Sequence, residues 1–311
     1  SLENVNGLLG TKLNDTELHK ILAQLNYETK IDNKTLLVQA PGYRKDILIE
    51  ADVIEEVLRV YGYHHIEGKK LQPNLLGELS YSQKMNRALK QTLVGLGLNE
   101  VINYSLVSES DIESFPKVGE SVSILMPLSD DRKILRQSLI PGLLKNLNYH
   151  LSRQMSHITL FEMGHVFAKD VEKNHLAVLI NGNLLDSNYL KRDIKSDFYT
   201  LKGILEHIGV TLNVSFDVKQ SSNVAALHPG IQGDVYVGDL LVGVIGKTHP
   251  LTDEAYDIKD AYVLELDLSQ LITTKAPMIF ESISKYPSIQ RDISFVVSKD
   301  YPISDILGII K

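Results

Sequence analysis

Between residues 46 and 63 the chain reads DILIEADVIEEVLRVYGY. Asp46, Glu50, Asp52, Glu55 and Glu56 put five carboxylates inside eleven positions, and apolar residues keep a helical period among them. On a helix, Asp52, Glu55 and Glu56 stand at i, i+3 and i+4 and share one face. Asp46 lies before or at the helix start, within reach of folding back toward them. Carboxylates that converge without histidine or cysteine suit a hard cation, magnesium or calcium rather than zinc. Magnesium takes only one or two protein carboxylates and keeps waters, so not all four acids need touch it. The same acids also fit a solvated, salt-bridged face. Acids in a first helical turn favour the helix dipole, and Glu55 precedes Arg59 by four, a common surface pair. Both readings stay open on spacing alone. The opposite stripe, Val53, Val57, Val60 and Tyr61, is expected in the core.

Other residues that could do chemistry are more isolated. His228 and His249 each precede a proline, in LHPG and THPL, with no acid or nucleophile at usable spacing, and read as turn residues. His64 and His65 stand at a helix exit. GVIG is too short and misplaced for a phosphate loop. Arg132, Lys133 and Arg136 form a small basic cluster beside Asp130 and Asp131, readable as an RNA or subunit contact or as a surface network. Arg291 and Asp292 follow the start of an expected strand.

The elements that must position these residues are legible from periodicity and caps. Asn14 caps a helix, NDTELHKILAQLNY, with Glu17 at the capping-box position. A strand, KTLLVQA, and the Pro41-Gly42 punctuation lead to the acidic helix, which ends at Gly62. Residues 69 to 77 read as a linker. A long helix, SYSQKMNRALKQTLVGLG, precedes a strand, EVINYSLV, and a polar loop over 108 to 121. Ser138 is placed to cap LIPGLLKNLNYHLSRQ, with Pro141 in the first turn. Ile140, Leu143, Leu144, Leu147 and Leu151 form its apolar face. Strands HITLFEMGHVFA and HLAVLING, a helix DFYTLKGILEHIG, a hairpin turning at Gly238-Asp239 and a strand AYVLELDL complete the region. Helices without regular β–α alternation predict a largely antiparallel α+β sheet. KYPSIQRDISFVV reads as a further strand. YPISDILGIIK reads as a helix just starting, with Ser304 as N-cap and Ile306, Leu307 and Ile310 as its stripe.

Composition bounds the function. The 311 residues suggest about two domains. With no cysteine, disulfides and cysteine-ligated metal sites are excluded, which fits a reducing compartment. No apolar run approaches the roughly 18 residues of a membrane span, and no signal peptide is visible. A net charge of −7 gives no global pull toward nucleic acid. Residues 1 to 68 hold 11 acids against 7 bases, and residues 276 to 311 hold 4 against 4. Without an initiator methionine, and with so short a final helix, the chain reads as a piece of a longer protein.

PGYRKDILIEADVIEEVLRVYGYHHI resembles the B5 domain of bacterial phenylalanyl-tRNA synthetase β subunits, through Pro41, Tyr43, Arg44, Asp46, Asp52, Glu55, Glu56, Arg59, Tyr61, Gly62 and Ile66. LRQSLIPGLLKNLNYHLSR, LFEMGHVF, FYTLKGILE and LHPGIQGDVYVGDLLVGVIGKTHP resemble that subunit's synthetase-like core. KYPSIQRDISFVV resembles the opening of its ferredoxin-fold anticodon-binding domain. The resemblance implies a winged-helix-like B5 domain over 1–68 and a linker over 69–77. It further implies a class II synthetase-like, non-catalytic core over 78–275 and a truncated ferredoxin-like segment over 276–311. It also implies a cytoplasmic α2β2 enzyme that joins phenylalanine to tRNA-Phe with ATP and magnesium, the active site lying on the α subunit. Magnesium shared with that subunit is implied at Asp46, Asp52, Glu55 and Glu56. Arg132, Lys133, Arg136 and Arg291 are the candidate tRNA or subunit contacts.

The residues themselves test the expectation of a silent core. Adenylation is mostly positioning and electrostatics, and needs cations on the ATP phosphates. Active cores of this class carry an arginine after each of two strands. Here the first strand carries Glu162 and no arginine, and GVIGKTHP has Lys247 and His249 but no arginine. No catalytic residue is therefore assigned. The resemblance implies that the subunit's tRNA-binding and editing domains would precede residue 1, so no proofreading role is expected of these residues. The competing function is a free-standing nucleic-acid-binding module, which the net −4 of residues 1 to 68 opposes. A complete enzyme with its own ATP site is opposed by the missing phosphate loop and arginines.

Overall fold

The computed structural model describes residues 1–32, 35–68, 77–185, 194–272, 280, 282–283, 285–298, 301 and 303–310. It is a mixed α+β protein of two compact units, Ser1–Glu78 and Leu79–Lys311. The linker expected over 69 to 77 lies, but for its last residue, outside the described residues.

The first unit packs helices α1 (Leu2–Leu9), α2 (Asp15–Gln24) and α3 (Glu50–Tyr61) with a hairpin of β1 (Glu28–Asp32) and β2 (Thr35–Gln39). The expected capping box forms: Asn14 Oδ1 accepts from Glu17 N, and Glu17 Oε2 accepts from Asn14 N, both at 2.9 Å. Val5, Leu9, Leu18, Leu22, Ile54 and Val57 build the core. The buried stripe of α3 is centred on Ile54 and Val57, while Val53, Val60 and Tyr61 are only half-buried against it. Gly62 ends α3 at φ 101, a backbone conformation that glycine adopts without a Cβ penalty.

The second unit opens with α4 (Tyr81–Gly95), β3 (Asn99–Glu100), β4 (Leu106–Val107) and a short α5 (Ser110–Glu113). The expected strand over EVINYSLV is thus two short pieces, and the polar loop after it holds a helical turn. Then come β5 (Ile134–Leu135), α6 (Ile140–Leu151), β6 (Ile158–Ala168), β7 (Val171–Asn181), β8 (Asn183–Leu185) and β9 (Ile194–Lys195). They are followed by α7 (Phe198–Leu212), β10 (Asp217–Gln220), β11 (Leu227–Val237), β12 (Leu240–Thr248), α8 (Pro250–Tyr256), β13 (Tyr262–Asp267) and α9 (Leu268–Leu271). One sheet of seven strands, in the order β10-β11-β12-β13-β7-β6-β3, organises the unit. Its pairs are antiparallel except β3 with β6, so the sheet is mixed.

Alternation along the strands sends two cores to opposite faces. Leu176, Val178 and Ile180 of β7 join α4 and α7 through Leu93, Leu201, Leu205 and Ile208. Ala177 and Leu179 join α6 through Leu143, Leu144 and Leu147. No helix of the described residues is long and apolar enough to cross a membrane.

The strand expected over KYPSIQRDISFVV does not form: residues 285–298 carry no strand. A strand requires a ladder partner for its N–H and C=O groups, and no strand among the described residues is laddered to this segment. Helix α10 spans Ile303–Ile310. It begins at Ile303, one residue before the position expected as its N-cap.

Candidate functional site

The loop before α3 and the helix itself place the four acids. Arg44, two residues before Asp46, turns its guanidinium onto it, with Nε 3.0 Å from Oδ1 and Nη2 2.6 Å from Oδ2. The same Nη2 reaches Glu56 Oε1 at 2.9 Å, and Arg59 Nη2 reaches Glu56 Oε2 at 2.5 Å. Glu56 is buried, at 8% exposure. Asp52 Oδ2 accepts from the backbone N–H of Leu48 at 2.7 Å and of Ile49 at 2.9 Å, closing the first turn of α3. Glu55 is exposed, and no described residue bonds or pairs with it.

Electrostatics follow the contacts. The Arg44 guanidinium bonded to Asp46 holds that carboxyl at about 2. Arg44 and then Arg59 hold Glu56 at about 2. Arg44 itself is raised by its bonds to Asp46 and Glu56. Arg59 pairs with Glu56 three residues earlier, not with Glu55 four earlier.

The expected shared face is therefore divided three ways. Asp52 turns to the helix start, Glu56 turns inward onto two arginines, and Glu55 faces water. Among the described residues no three acids or histidines gather as a metal site. The donors are chemically right for a hard cation, but as folded in this chain they do not fit one.

A second polar cluster lies in the sheet of the larger unit. Glu162 on β6 and Glu265 on β13 both face Ala177 on β7, so the three share one row and one face. Arg136 reaches that row from before α6. Its Nη1 lies 2.6 Å from Glu162 Oε1, and its Nε donates to His165 O at 2.9 Å. Asn103 donates to the same carboxylate through its backbone N at 3.1 Å and Nδ2 at 2.7 Å. Glu265 accepts from Ser138 Oγ at 2.5 Å and Leu139 N at 3.0 Å, and His175 Nδ1 lies 2.8 Å away. Ser138 Oγ in turn accepts from Ile140 N at 3.2 Å, but the N-cap of α6 is Leu139 and not the expected Ser138, which is held instead by Glu265. Lys173 pairs with Asp267 at 2.9 Å.

The basic cluster expected on the surface loses one member. Arg136 is 6% exposed and bound to Glu162, so this member of the expected contact set is turned into the fold. Arg132 stacks over the Tyr104 ring at 4.1 Å, and Lys133 lies 3.9 Å from Glu109. Arg291 is exposed. His228 Nδ1 accepts from Gly230 N, and His249 Nδ1 accepts from Leu251 N, both at 3.1 Å, so both histidines shape turns. Lys247 pairs with Asp260 at 2.5 Å.

Both clusters lie inside segments that match known family models. Residues 1–63 match the tRNA synthetase B5 domain, and residues 71–268 match the phenylalanyl tRNA synthetase beta chain CLM domain. This chain belongs to the phenylalanyl-tRNA synthetase β-chain family. Among its relatives are proteins named phenylalanine–tRNA ligase beta subunit. That of Lactococcus lactis is 34% identical over 318 residues, and that of Listeria innocua is 33% identical over 320. That of Aster yellows witches'-broom phytoplasma is 34% identical over 319. Each alignment takes in 100% of this chain and 40%, 40% and 38% of those relatives' lengths, so the chain spans about two fifths of them. It is a β-subunit portion of the synthetase family.

Sequence reasoning named Arg44 and Arg136 but missed the pairings through which they organise these clusters. Nothing in the spacing of Arg136 and Glu162, 26 residues apart, shows that they meet. One signal was available: Gly164 interrupts β6 two residues after Glu162, and glycine inside a strand marks a close approach. A Cβ there would meet Arg136 Nη2 at 2.4 Å. For Arg44, the signal was the arginine two residues before an aspartate at a loop end.

Proposed function

We propose that this chain is the assembly and RNA-contacting part of a phenylalanine–tRNA ligase β subunit, outside the adenylation chemistry. The whole enzyme joins L-phenylalanine to tRNA-Phe with ATP as an α2β2 complex in the cytoplasm. Residues 1–68 act as a winged-helix-like B5 domain and 78–275 as a class II synthetase-like core. Residues 276–311 are the first part of a ferredoxin-like anticodon-binding domain.

The observation that carries the non-catalytic reading is the Arg136–Glu162 pair. An arginine does reach the strand where an active core needs one, but a buried carboxylate neutralises it. Such a cation is not available to phosphate oxygens without leaving an uncompensated charge behind. Arg132, Lys133 and Arg291 remain the candidate contacts to tRNA or to the α subunit. Magnesium belongs to this proposal only as an ion shared with the α subunit at Asp46, Asp52, Glu55 and Glu56. As folded in this chain, the acids do not gather around such an ion.

The test is association. The chain is mixed with a folded α subunit of the same enzyme, and sedimentation velocity is measured. A faster-sedimenting complex is expected. Two folded partners that sediment independently at micromolar concentration overturn the reading.

A further inference from the structure

Asp46 and Glu56, two of the four acids just named, already hold cations. The Arg44 fork spans Asp46 and extends one nitrogen to Glu56, and Arg59 closes the other oxygen of Glu56. Two carboxylates against two guanidiniums leave this group with no net charge. A guanidinium fork matches a carboxylate in both charge and geometry, so it competes directly for the oxygens a metal would use. A divalent cation entering from solvent gains from converging anionic oxygens. Here it must first strip a guanidinium from a buried carboxylate and leave that guanidinium without its partner.

We propose that Arg44 is the resident cation of this acidic cluster. It stands where a metal would otherwise be needed, and it fastens the loop of residues 41 to 47 to α3 through Glu56. The folded chain is then complete without a divalent ion. Such an ion engages Asp46 and Glu56 only where another anion draws Arg44 away. This rests on the reading that these acids are the family's magnesium residues, and it deepens that reading. The half-site is closed by an arginine, so opening it is a step in forming the site.

The experiment uses the 311-residue chain and manganese as the probe, with free ion followed by its electron paramagnetic resonance signal. The unaltered chain is expected to show no stoichiometric binding. The Arg44→Gln variant is expected to bind one ion, tighter by about tenfold or more, and Asp46→Asn in that background to abolish it. Equal manganese affinity with and without Arg44 overturns the proposal. A second measurement needs no variant. The Arg44 Nε–Hε resonance of the unaltered chain is expected to stay fixed through a magnesium titration, and a saturable magnesium-dependent shift overturns the proposal. A chain that binds manganese unaltered yet still sediments with the α subunit would sink this inference and leave the assembly reading intact.

Discussion

Arg136 and Glu162 meet at 2.6 Å with both side chains almost wholly removed from water. The pair joins the segment before α6 to β6, and Asn103, in the loop between β3 and β4, adds a third segment of the chain to the same carboxylate. Removing one partner of a buried pair leaves the other charge without compensation, which costs about 3–5 kcal/mol. Glu162→Gln and Arg136→Met are each expected to lower unfolding free energy on that scale in urea titrations. The double variant is expected to lose less than the sum, because it leaves no orphan charge. Strictly additive losses would show that the two residues do not depend on each other.

Gly164 stands where Arg136 crosses β6, and a methyl group there would lie 2.4 Å from Nη2. The guanidinium has little freedom to withdraw, since Nε is tied to His165 O and Nη1 to Glu162. Gly164→Ala is therefore expected to destabilise the larger unit by about 1–3 kcal/mol, the scale of an overpacked interior. Shortening the arginine should relieve most of that loss. If Gly164→Ala is neutral in thermal unfolding, the crossing is not tight.

Asp52 and Glu55, neighbours on α3, are expected to separate cleanly. Asp52 accepts two backbone N–H groups at the start of the helix. Asp52→Ala should cost about 0.5–2 kcal/mol, as loss of a capping acceptor does. Glu55 is exposed and makes no hydrogen bond or ion pair with a described residue, and Glu55→Ala should change stability by no more than about 0.5 kcal/mol. Any effect of Glu55→Ala on association with the α subunit then reports the interface alone. Chemical denaturation of both variants distinguishes the two roles, and equal losses would contradict the geometry.

Local patterns made much of the fold legible. The Asn14–Glu17 capping box, the Gly62 stop and the Gly238-Asp239 hairpin are each written in a few adjacent residues, and each forms. The apolar faces of α4, α6 and α7 follow from their 3.6-residue period. What periodicity could not supply was the direction in which a charged side chain turns. Asp52, Glu55 and Glu56 have the spacing of one face, yet a backbone amide pair, water and two arginines claim one each. The strand expected at KYPSIQRDISFVV failed for a related reason: β pattern needs a partner strand, which no local window reveals. The family resemblance pointed to the β-chain family that the B5 and CLM matches show, but the pairing of Arg44 with Asp46 and Glu56, and of Arg136 with Glu162, came only from the folded chain.

Asp111 offers a pH-dependent signature in the larger unit. Burial alone would raise its carboxyl. Bonds from Lys145 at 2.6 Å, Ser108 Oγ at 2.6 Å and Tyr256 Oη at 2.9 Å together outweigh that and leave it below its ordinary value of 3.8. A group lowered on folding adds stability above its unfolded value, and that stability is lost as pH falls through the folded one. The melting temperature of the unaltered chain should exceed that of Asp111→Asn by a constant margin at neutral pH. The margin should shrink on acidification from about pH 5 to about pH 2. A margin that stays constant over that range would show that the Asp111 charge does not contribute.

The proposed non-catalytic role makes a catalytic prediction. Class II adenylation needs cations positioned on the nucleotide phosphates as charge develops. On the sheet, Arg136 is held by Glu162 and Lys173 by Asp267, while Lys247 is held by Asp260. The chain alone, given phenylalanine, ATP and magnesium, is therefore expected to show no phenylalanine-dependent pyrophosphate exchange. Glu162→Ala would free Arg136 but supply no second phosphate-binding cation, so it should remain inactive while losing stability. Exchange above background by the unaltered chain would mean that it carries a site of its own, and that the Arg136–Glu162 pair opens during turnover.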